Sequence, residues 1–397
     1  MLLKRTLSII LIICFIIPTF VILADDTEVM PMGDWETCPT PENLPETVQI
    51  GAIFGLSGPI SVYGTVQQQA IQMAVEEINE SAYLGEGVML EVLFEDSTGD
   101  AEQAINAMTK LVTEDKVSAV LGPTLSTEAF AADPVAQENG VPVMGLSNTA
   151  SGVTDMGDFV FRNSLPESSV IPGTIAQATE ILGLENVGVL YGDDDDFTLS
   201  GYDVFISALE ENEVNIIDEQ TFARGDVDFN AQLTSLIAGN PDAIIVSALA
   251  AEAVQIIVQA RDLGFEGPII GGNGLNSPKV LQESGAENSN GVIVGAAWNI
   301  ASPDPLSVQF SENFEAAYEA KPDQFAAQAY TGAWLMATAI RCADSTDSLA
   351  IRDSLAEISD FASPLGTFSF DEDRNPVHDP VVQIAEDGSF SVLTADE

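Results

Sequence analysis

Beyond an apolar N-terminal stretch and a polar one rich in proline, the chain repeats one pattern: a short apolar run, then a longer segment whose apolar positions recur every three or four residues. The runs read as strands and the longer segments as amphipathic helices. Val48–Phe54 predicts a strand, Val66–Asn79 a helix with Ala70, Met73, Ala74 and Ile78 on one face, and Val88–Phe94 a strand. Helix Ala101–Glu114, strand Ser118–Leu121, helix Thr127–Asn139 and strand Val141–Met144 complete this series. A second series predicts helices at Ser169–Leu182, Gly201–Asn212, Phe229–Ile237 and Ala250–Leu263. Its strands are Val187–Tyr191, Val214–Gln220, Ala243–Ser247 and Pro268–Ile270. Later helices are expected at Ser307–Ala320, Gln324–Ala343 and Ser348–Ile358, and tail strands at Thr367–Phe370 and Val381–Leu393 around the turn Asp371-Glu372-Asp373. Such alternation implies an α/β fold of parallel-rich sheets with helices on both faces, and two series imply two lobes.

The N-terminus has the order of an export signal: Lys4 and Arg5, an apolar run from Leu7 to Leu23, then Ala24-Asp25-Asp26. Residues 1–24 therefore read as a signal peptide cleaved after Ala24. The run is also about as long as a minimal membrane span of roughly 17–25 residues, so an uncleaved anchor is the alternative. Either way the chain is exported, to a periplasmic or extracellular location, as a free protein or one tethered to the outer face of the cytoplasmic membrane. Cys14 follows Ile12-Ile13 and lacks the small residue of a lipidation box. Residues 25–45, acidic and carrying Pro31, Pro39, Pro41 and Pro45, read as a linker. Export leaves Cys38 and Cys342, a pair able to form one disulfide in an oxidising compartment; their spacing carries no metal signature and does not by itself establish a bond.

Charge removes several function classes. Twelve Lys+Arg stand against 62 Asp+Glu, a formal net charge of −50, so the clustered cations that nucleic-acid phosphates require are missing. With His378 as the single histidine, chemistry built on a central His base or His ligands is not expected. Asp193–Asp196 lacks the alternating ligands of a calcium loop. Gly271-Gly272-Asn273-Gly274 lacks the G-x-G-x-x-G order of a dinucleotide site, and no serine sits in a G-x-S-x-G elbow. No metal, cofactor or catalytic residue is therefore expected.

Ligands of open parallel sheets bind where strands end and helices begin. Strand Ser118–Leu121 runs into Gly122-Pro123-Thr124-Leu125-Ser126, which puts Ser126 at a helix N-cap, a place that attracts an anion. The next strand ends in Gly145-Leu146-Ser147-Asn148-Thr149-Ala150, a second loop of hydroxyls and main-chain groups. Neither alone is more than an ordinary cap or turn; together they point to a small-molecule site.

Gly55-Leu56-Ser57-Gly58-Pro59 with Tyr63-Gly64, Ala74–Asn79, Gly122–Thr127, Gly140–Thr149, Gln259–Gly264 and Gly271–Gly274 form an ordered set. With it the chain, from Val48 to Leu393, resembles the type I periplasmic binding proteins of the Leu/Ile/Val-binding kind, solute receptors of ABC importers. The resemblance implies two Rossmann-like lobes on a three-segment hinge: residues 46–166 with 297–376 as lobe 1, and 167–296 with 377–397 as lobe 2. It implies that Ser126, Ser147, Asn148 and Thr149 receive a ligand α-carboxylate, that Tyr63 lies against the ligand side chain, and that Phe197 supplies the aromatic of the second lobe. Leu249 and Ala250 stand where some relatives carry an aromatic. Trp298 is either a pocket wall or a packed hinge residue. Asn273 occupies a position where many relatives carry the carboxylate that neutralises the ligand ammonium, and an amide cannot cancel that charge. Either another acid, such as one of Asp193–Asp196, supplies it, or the solute is not a zwitterion.

The expected function is capture of a small amino acid, branched-chain or otherwise neutral, for delivery to the membrane subunits of an ABC importer. Receptors for amides, urea-like or other small polar solutes, and a ligand sensor built on the same clamp, are the alternatives. An enzyme is not expected, because the strand-end loops offer no nucleophile–base pair. The charge of −50 has a separate consequence: screening of self-repulsion by salt stabilises the fold. The melting temperature is predicted to climb by several degrees between low and molar NaCl in calorimetry; a flat profile contradicts this.

Overall fold

In the computed structural model, which describes residues 32–394, the apolar runs are strands and the periodic segments helices. Strands β1 (Thr47–Phe54), β2 (Met89–Asp96), β3 (Val120–Leu121), β4 (Val143–Gly145) and β5 (Val160–Arg162) form a parallel sheet in the order β2-β1-β3-β4-β5. Helix α1 (Ser61–Glu80) covers one face; α2 (Ala101–Thr109, prolonged by a π-helical turn to Asp115) and α3 (Ser126–Asn139) cover the other. Val48, Ile50, Ala52 and Phe54 accordingly pack into one core and Ile53 into the other. The second lobe comprises α4 (Glu167–Leu182), β6 (Asn186–Gly192), α5 (Asp196–Glu211), β7 (Asn215–Phe222), α6 (Asn230–Ala238), β8 (Ala243–Ser247), α7 (Ala250–Asp262), β9 (Ile269–Gly271), α8 (Pro278–Ser284) and β10 (Val292–Ala296).

The chain then returns as α9 (Pro305–Tyr318), α10 (Gln324–Ala343), α11 (Ser348–Ala356) and a small antiparallel sheet, β11 (Phe361–Ser363), β12 (Gly366–Phe370) and β13 (Pro376–Val377). It ends in the hairpin β14 (Val381–Glu386) and β15 (Ser389–Val392), which extends the second sheet to the order β15-β14-β10-β9-β8-β6-β7. The chain thus passes between the lobes three times: after β5, after β10 and between β13 and β14. Helix α10 packs on α1 and is buried from Gln324 to Arg341, which explains why its sequence is apolar nearly all round.

Some elements depart from the sequence pattern. Helix α1 begins already at Ser61, and α8, opened by Ser277 and Pro278, was not expected. Val381–Leu393 is not one strand beside Thr367–Phe370. Asp387 and Gly388 adopt left-handed backbone (φ +49° and +76°) and fold it into the β14–β15 hairpin, while the turn at Asp371–Asp373 joins β12 to β13.

Residues 32–46, the described part of the expected linker, carry almost no regular structure but are packed down. Cys38 and Cys342 are bonded, with Cα atoms 4.9 Å apart. Arg341 donates from Nε to the Cys38 carbonyl (2.8 Å), and its guanidinium lies over the rings of Trp35 and Tyr83 at 5.1 and 4.7 Å. The Asp34 amide donates to the Tyr83 hydroxyl (2.9 Å). The expected signal segment, Cys14 and the start of the linker lie outside the described residues; among those described, no helix is long and apolar enough to cross a membrane. Because the bond closes a loop of 304 residues, its removal by Cys342→Ser is predicted to lower the unfolding free energy by about 2–5 kcal/mol in denaturant titrations. An unchanged midpoint contradicts this.

Candidate functional site

Strands β1, β3 and β4 of one sheet and β6, β8 and β9 of the other aim their C-terminal ends at a common cleft. The loops that follow them supply its walls. Tyr63 in the first turn of α1, Ser126 at the start of α3, Ser147, Phe197 in the first turn of α5, Leu249, Asn273 and Phe325 enclose one cavity, with Thr124, Leu125 and Gly274. The Tyr63 ring packs on Phe325 (centroids 4.7 Å). Its hydroxyl donates to the Gly274 carbonyl (2.6 Å) and accepts the Ala250 N–H (2.8 Å), joining the lobes. Both approaches need glycine: a Cβ on Gly64 would lie 2.2 Å from the Gly55 carbonyl oxygen, and one on Gly274 2.1 Å from that of Ala248. Further bonds across the cleft run from Arg224 Nη2 to the Gly99 carbonyl (3.0 Å), from Thr127 Oγ1 to Asp195 Oδ2 (3.1 Å) and from the Ser151 amide to Ser200 Oγ (2.9 Å). With these contacts made, free space in the cavity is about 20 Å³, the volume of a single water. A solute of amino-acid size therefore enters only when the lobes part.

Ser126 is the first helical residue of α3 rather than its cap. Leu125 holds the cap position, its N–H taken by the Glu128 carboxylate (2.8 Å). The Ser126 hydroxyl still lies at the helix start, where it accepts the Ala150 N–H (3.2 Å) and keeps its own proton to donate. Ser147 donates to the Thr124 carbonyl (2.6 Å) and accepts from Gln67 (3.0 Å). Asn148 turns away from the cavity: its Nδ2 bonds the Pro123 and Thr124 carbonyls, and its own carbonyl is held by Arg162 and Ser164. It braces the loop.

A second cavity adjoins the first and shares Asn273 with it. Its polar lining is Thr149, Glu167, Asn273, Gln324 and Gln328. Asn273 is held there: its side-chain oxygen accepts from Gln324 Nε2, and its N–H donates to Glu167 Oε1 (3.2 Å). Gln324 in turn accepts the Ala297 N–H (2.9 Å), so Asn273 ties β9 to the return crossing. Glu167, buried at the start of α4, is pushed up to about 8 by desolvation, against the Asn273 hydrogen bond and with help from the Asp195 charge. Asp323, the N-cap of α10, is likewise raised by burial, to about 7.

Of the sequence-derived residues, Tyr63, Ser126, Ser147, Phe197, Leu249 and Asn273 line the first cavity and Thr149 the second. Ala250 contributes its N–H to Tyr63, and its side chain faces an outer hollow. Trp298 lies outside the cleft. Its Nε1 donates to Ser307 (2.7 Å), its ring packs on Phe310, and it borders a separate cavity of about 260 Å³ on the hinge side. None of Asp193–Asp196 lines either cleft cavity: Asp193, Asp194 and Asp196 are exposed, and Asp195 is spent capping α5 beside Arg224 (3.8 Å). Sequence reasoning missed Phe325, Gln324, Gln328 and Glu167. The first three sit on a helix whose apolar pattern reads only as core. Glu167 follows Pro166 and reads as an ordinary first-turn acid.

Two α/β lobes, crossed three times by the chain and closing on a cleft lined by apolar and polar side chains, define a solute-binding clamp. A family model described as "Periplasmic binding protein" matches residues 47–389, and the chain belongs to this family, in its type I form. Its members are exported solute-binding proteins rather than enzymes. Leu/Ile/Val-binding protein homolog 3 of Brucella melitensis is 26% identical over 340 residues, spanning 82% of this chain and 87% of its own. LivJ of Streptococcus pneumoniae, a branched-chain amino acid transporter substrate-binding protein solved with isoleucine, is 32% identical with a TM-score of 0.81, covering 87% of this chain and 98% of LivJ. LivK of Thermotoga maritima, a leucine-binding protein, is 28% identical with a TM-score of 0.82 and the same coverage.

Because the Tyr63 hydroxyl makes two buried bonds between lobes, Tyr63→Phe is predicted to favour the open form by about 1–3 kcal/mol. Small-angle scattering of the ligand-free variant should give a larger radius of gyration than wild type; equal radii contradict the assignment.

Proposed function

We propose that this protein is an extracytoplasmic receptor that captures a small neutral amino acid, branched-chain in the first instance, by hinge closure and hands it to the membrane subunits of an ABC importer. The observation that carries this reading is the pairing of two cavities through Asn273. One has the apolar walls Tyr63, Leu125, Phe197, Leu249 and Phe325 with the Ser126 hydroxyl at a helix start beside them; the other sets the polar side chains of Thr149, Glu167, Gln324 and Gln328 among Leu165, Val170 and Ile171. An aliphatic amino acid has the same division into an apolar chain and a polar head. LivJ, 32% identical, holds isoleucine, which supports extending that ligand class to this chain.

In this reading the α-carboxylate meets the Ser126 hydroxyl and the exposed N–H groups of α3, with the Thr149 loop beside it. The aliphatic chain lies among Tyr63, Phe197 and Leu249. The lobes are residues 46–166 with 297–376, and 167–296 with 377–397. Residues 1–24 direct export, as a cleaved signal or as a tether to the outer face of the membrane.

Calorimetric titration tests this. The protein is unfolded and refolded to strip carried solute, then titrated with neutral, acidic and basic amino acids, short amides and urea. Aliphatic amino acids are expected to bind in the micromolar range or tighter. Ser126→Ala and Thr149→Ala should each weaken them roughly tenfold, the loss of one hydrogen bond to a charged group. Binding of amides or urea alone would move the substrate class, and silence across the panel would overturn the reading.

A further inference from the structure

The second cavity has an unusual chemical bias. Thr149 Oγ1, Glu167 Oε2 and Gln328 Oε1 are all buried, and none has a hydrogen-bond partner among the described residues. Buried polar atoms are nearly always satisfied, so three unsatisfied acceptors on one small cavity are an unfilled demand for donors. Thr149 can donate its own proton, and a Gln amide can turn, but the carboxyl can only accept once ionised. Among the described residues no cation is paired with it. The charged group whose field reaches Glu167 is Asp195, itself paired with Arg224.

The site is built rather than incidental. The Glu167 N–H donates to the Thr149 carbonyl (2.9 Å), which fixes the two residues side by side. Asn273 N–H orients Oε1. The carboxyl is seated against glycine backbone: a Cβ on Gly272, in the cavity wall, would come within 2.4 Å of Oε1, and one on Gly201, behind it, within 2.6 Å of Oε2. A group with three N–H donors and a positive charge matches these acceptors; a carboxylate does not.

Resting on the reading above, we infer that Glu167, with Thr149 and Gln328, receives the ligand's α-ammonium, and that it supplies the negative charge which Asn273 cannot. The substrate class is thereby narrowed to solutes with a primary ammonium beside a carboxylate, and Glu167 is the residue that selects them. Burial that raises Glu167 to about 8 leaves it protonated in the ligand-free protein at neutral pH. An arriving ammonium lowers it again, so the carboxyl gives up its proton to the solvent as the solute binds.

The test compares leucine with isocaproate, the same molecule without its amine, on refolded full-length protein. Glu167→Gln should weaken leucine on the order of 100-fold while isocaproate changes little. Wild type should release close to one proton per leucine at pH 7, read from the dependence of the calorimetric heat on buffer ionisation. The release should fade as the pH passes about 8 and be absent for isocaproate. That measurement needs no variant and stands even if Glu167→Gln folds poorly. Equal loss of leucine and isocaproate, unchanged leucine affinity, or no proton release overturns the inference while leaving the receptor reading intact. Wild type that binds no amino acid overturns the receptor reading, and the inference with it.

Discussion

The hydroxyl of Tyr63 sits where the two lobes touch. It donates to Gly274 of one strand-end loop and accepts from Ala250 of another, although it projects from the first turn of a helix in the opposite lobe. Such a bond forms only if β1, β8 and β9 all stop at the cleft. It also requires that Gly64 and Gly274 let backbone approach backbone. Desolvation raises the Tyr63 phenol strongly, so it remains a neutral donor at any physiological pH. The cleft wall, the seating of Phe325 and the closed spacing of the lobes follow from this contact.

Scarcity of positive charge shapes the rest. In a chain of −50, pairing with acids is the expected use of arginine, yet several guanidiniums are used on backbone carbonyls. Arg162 holds the carbonyls of Asn148 and Ala150 behind the binding loop, Arg341 those of Cys38 and Tyr83, and Arg374 those of Val160 and Thr154. Arg261 gathers the carbonyls of Phe265, Gly267, Asn288 and Asn290. Each pins a loop that no regular element would hold. The corollary is that buried acids go uncompensated: Asp133 and Glu167 both sit in the interior with no ion-pair partner among the described residues, and both are raised by desolvation. At Asp133 this is a cost borne within a helix; at Glu167 it falls on a cavity wall, where a cationic solute can relieve it.

The alternation of apolar runs with helical segments was enough for the α/β class and for most elements, because period-2 and period-3.6 burial are local consequences of backbone geometry. Strand-end chemistry was legible too. Ser126, Ser147, Thr149 and Asn273 follow strands directly in sequence, so their place in the cleft needs only the rule that parallel strands end together. Trp298 and Asn148 were less legible. Both sit near strand ends, but which side of the backbone a loop residue presents depends on partners distant in sequence, here Ser307 and Phe310 for the tryptophan and Pro123 and Thr124 for the asparagine.

By itself the sequence determined the α/β class and the hydroxyl loops of one lobe, since each depends on patterning or on neighbours along the chain. Tertiary structure alone decided that Cys38 lies against Cys342, that the leader is clamped by Arg341, and that α10 brings Phe325, Gln324 and Gln328 to the cleft. It alone also put Glu167 beside Thr149 and Asn273. A carboxyl's meaning is set by what surrounds it, and the groups around Glu167 come from four separate stretches of chain.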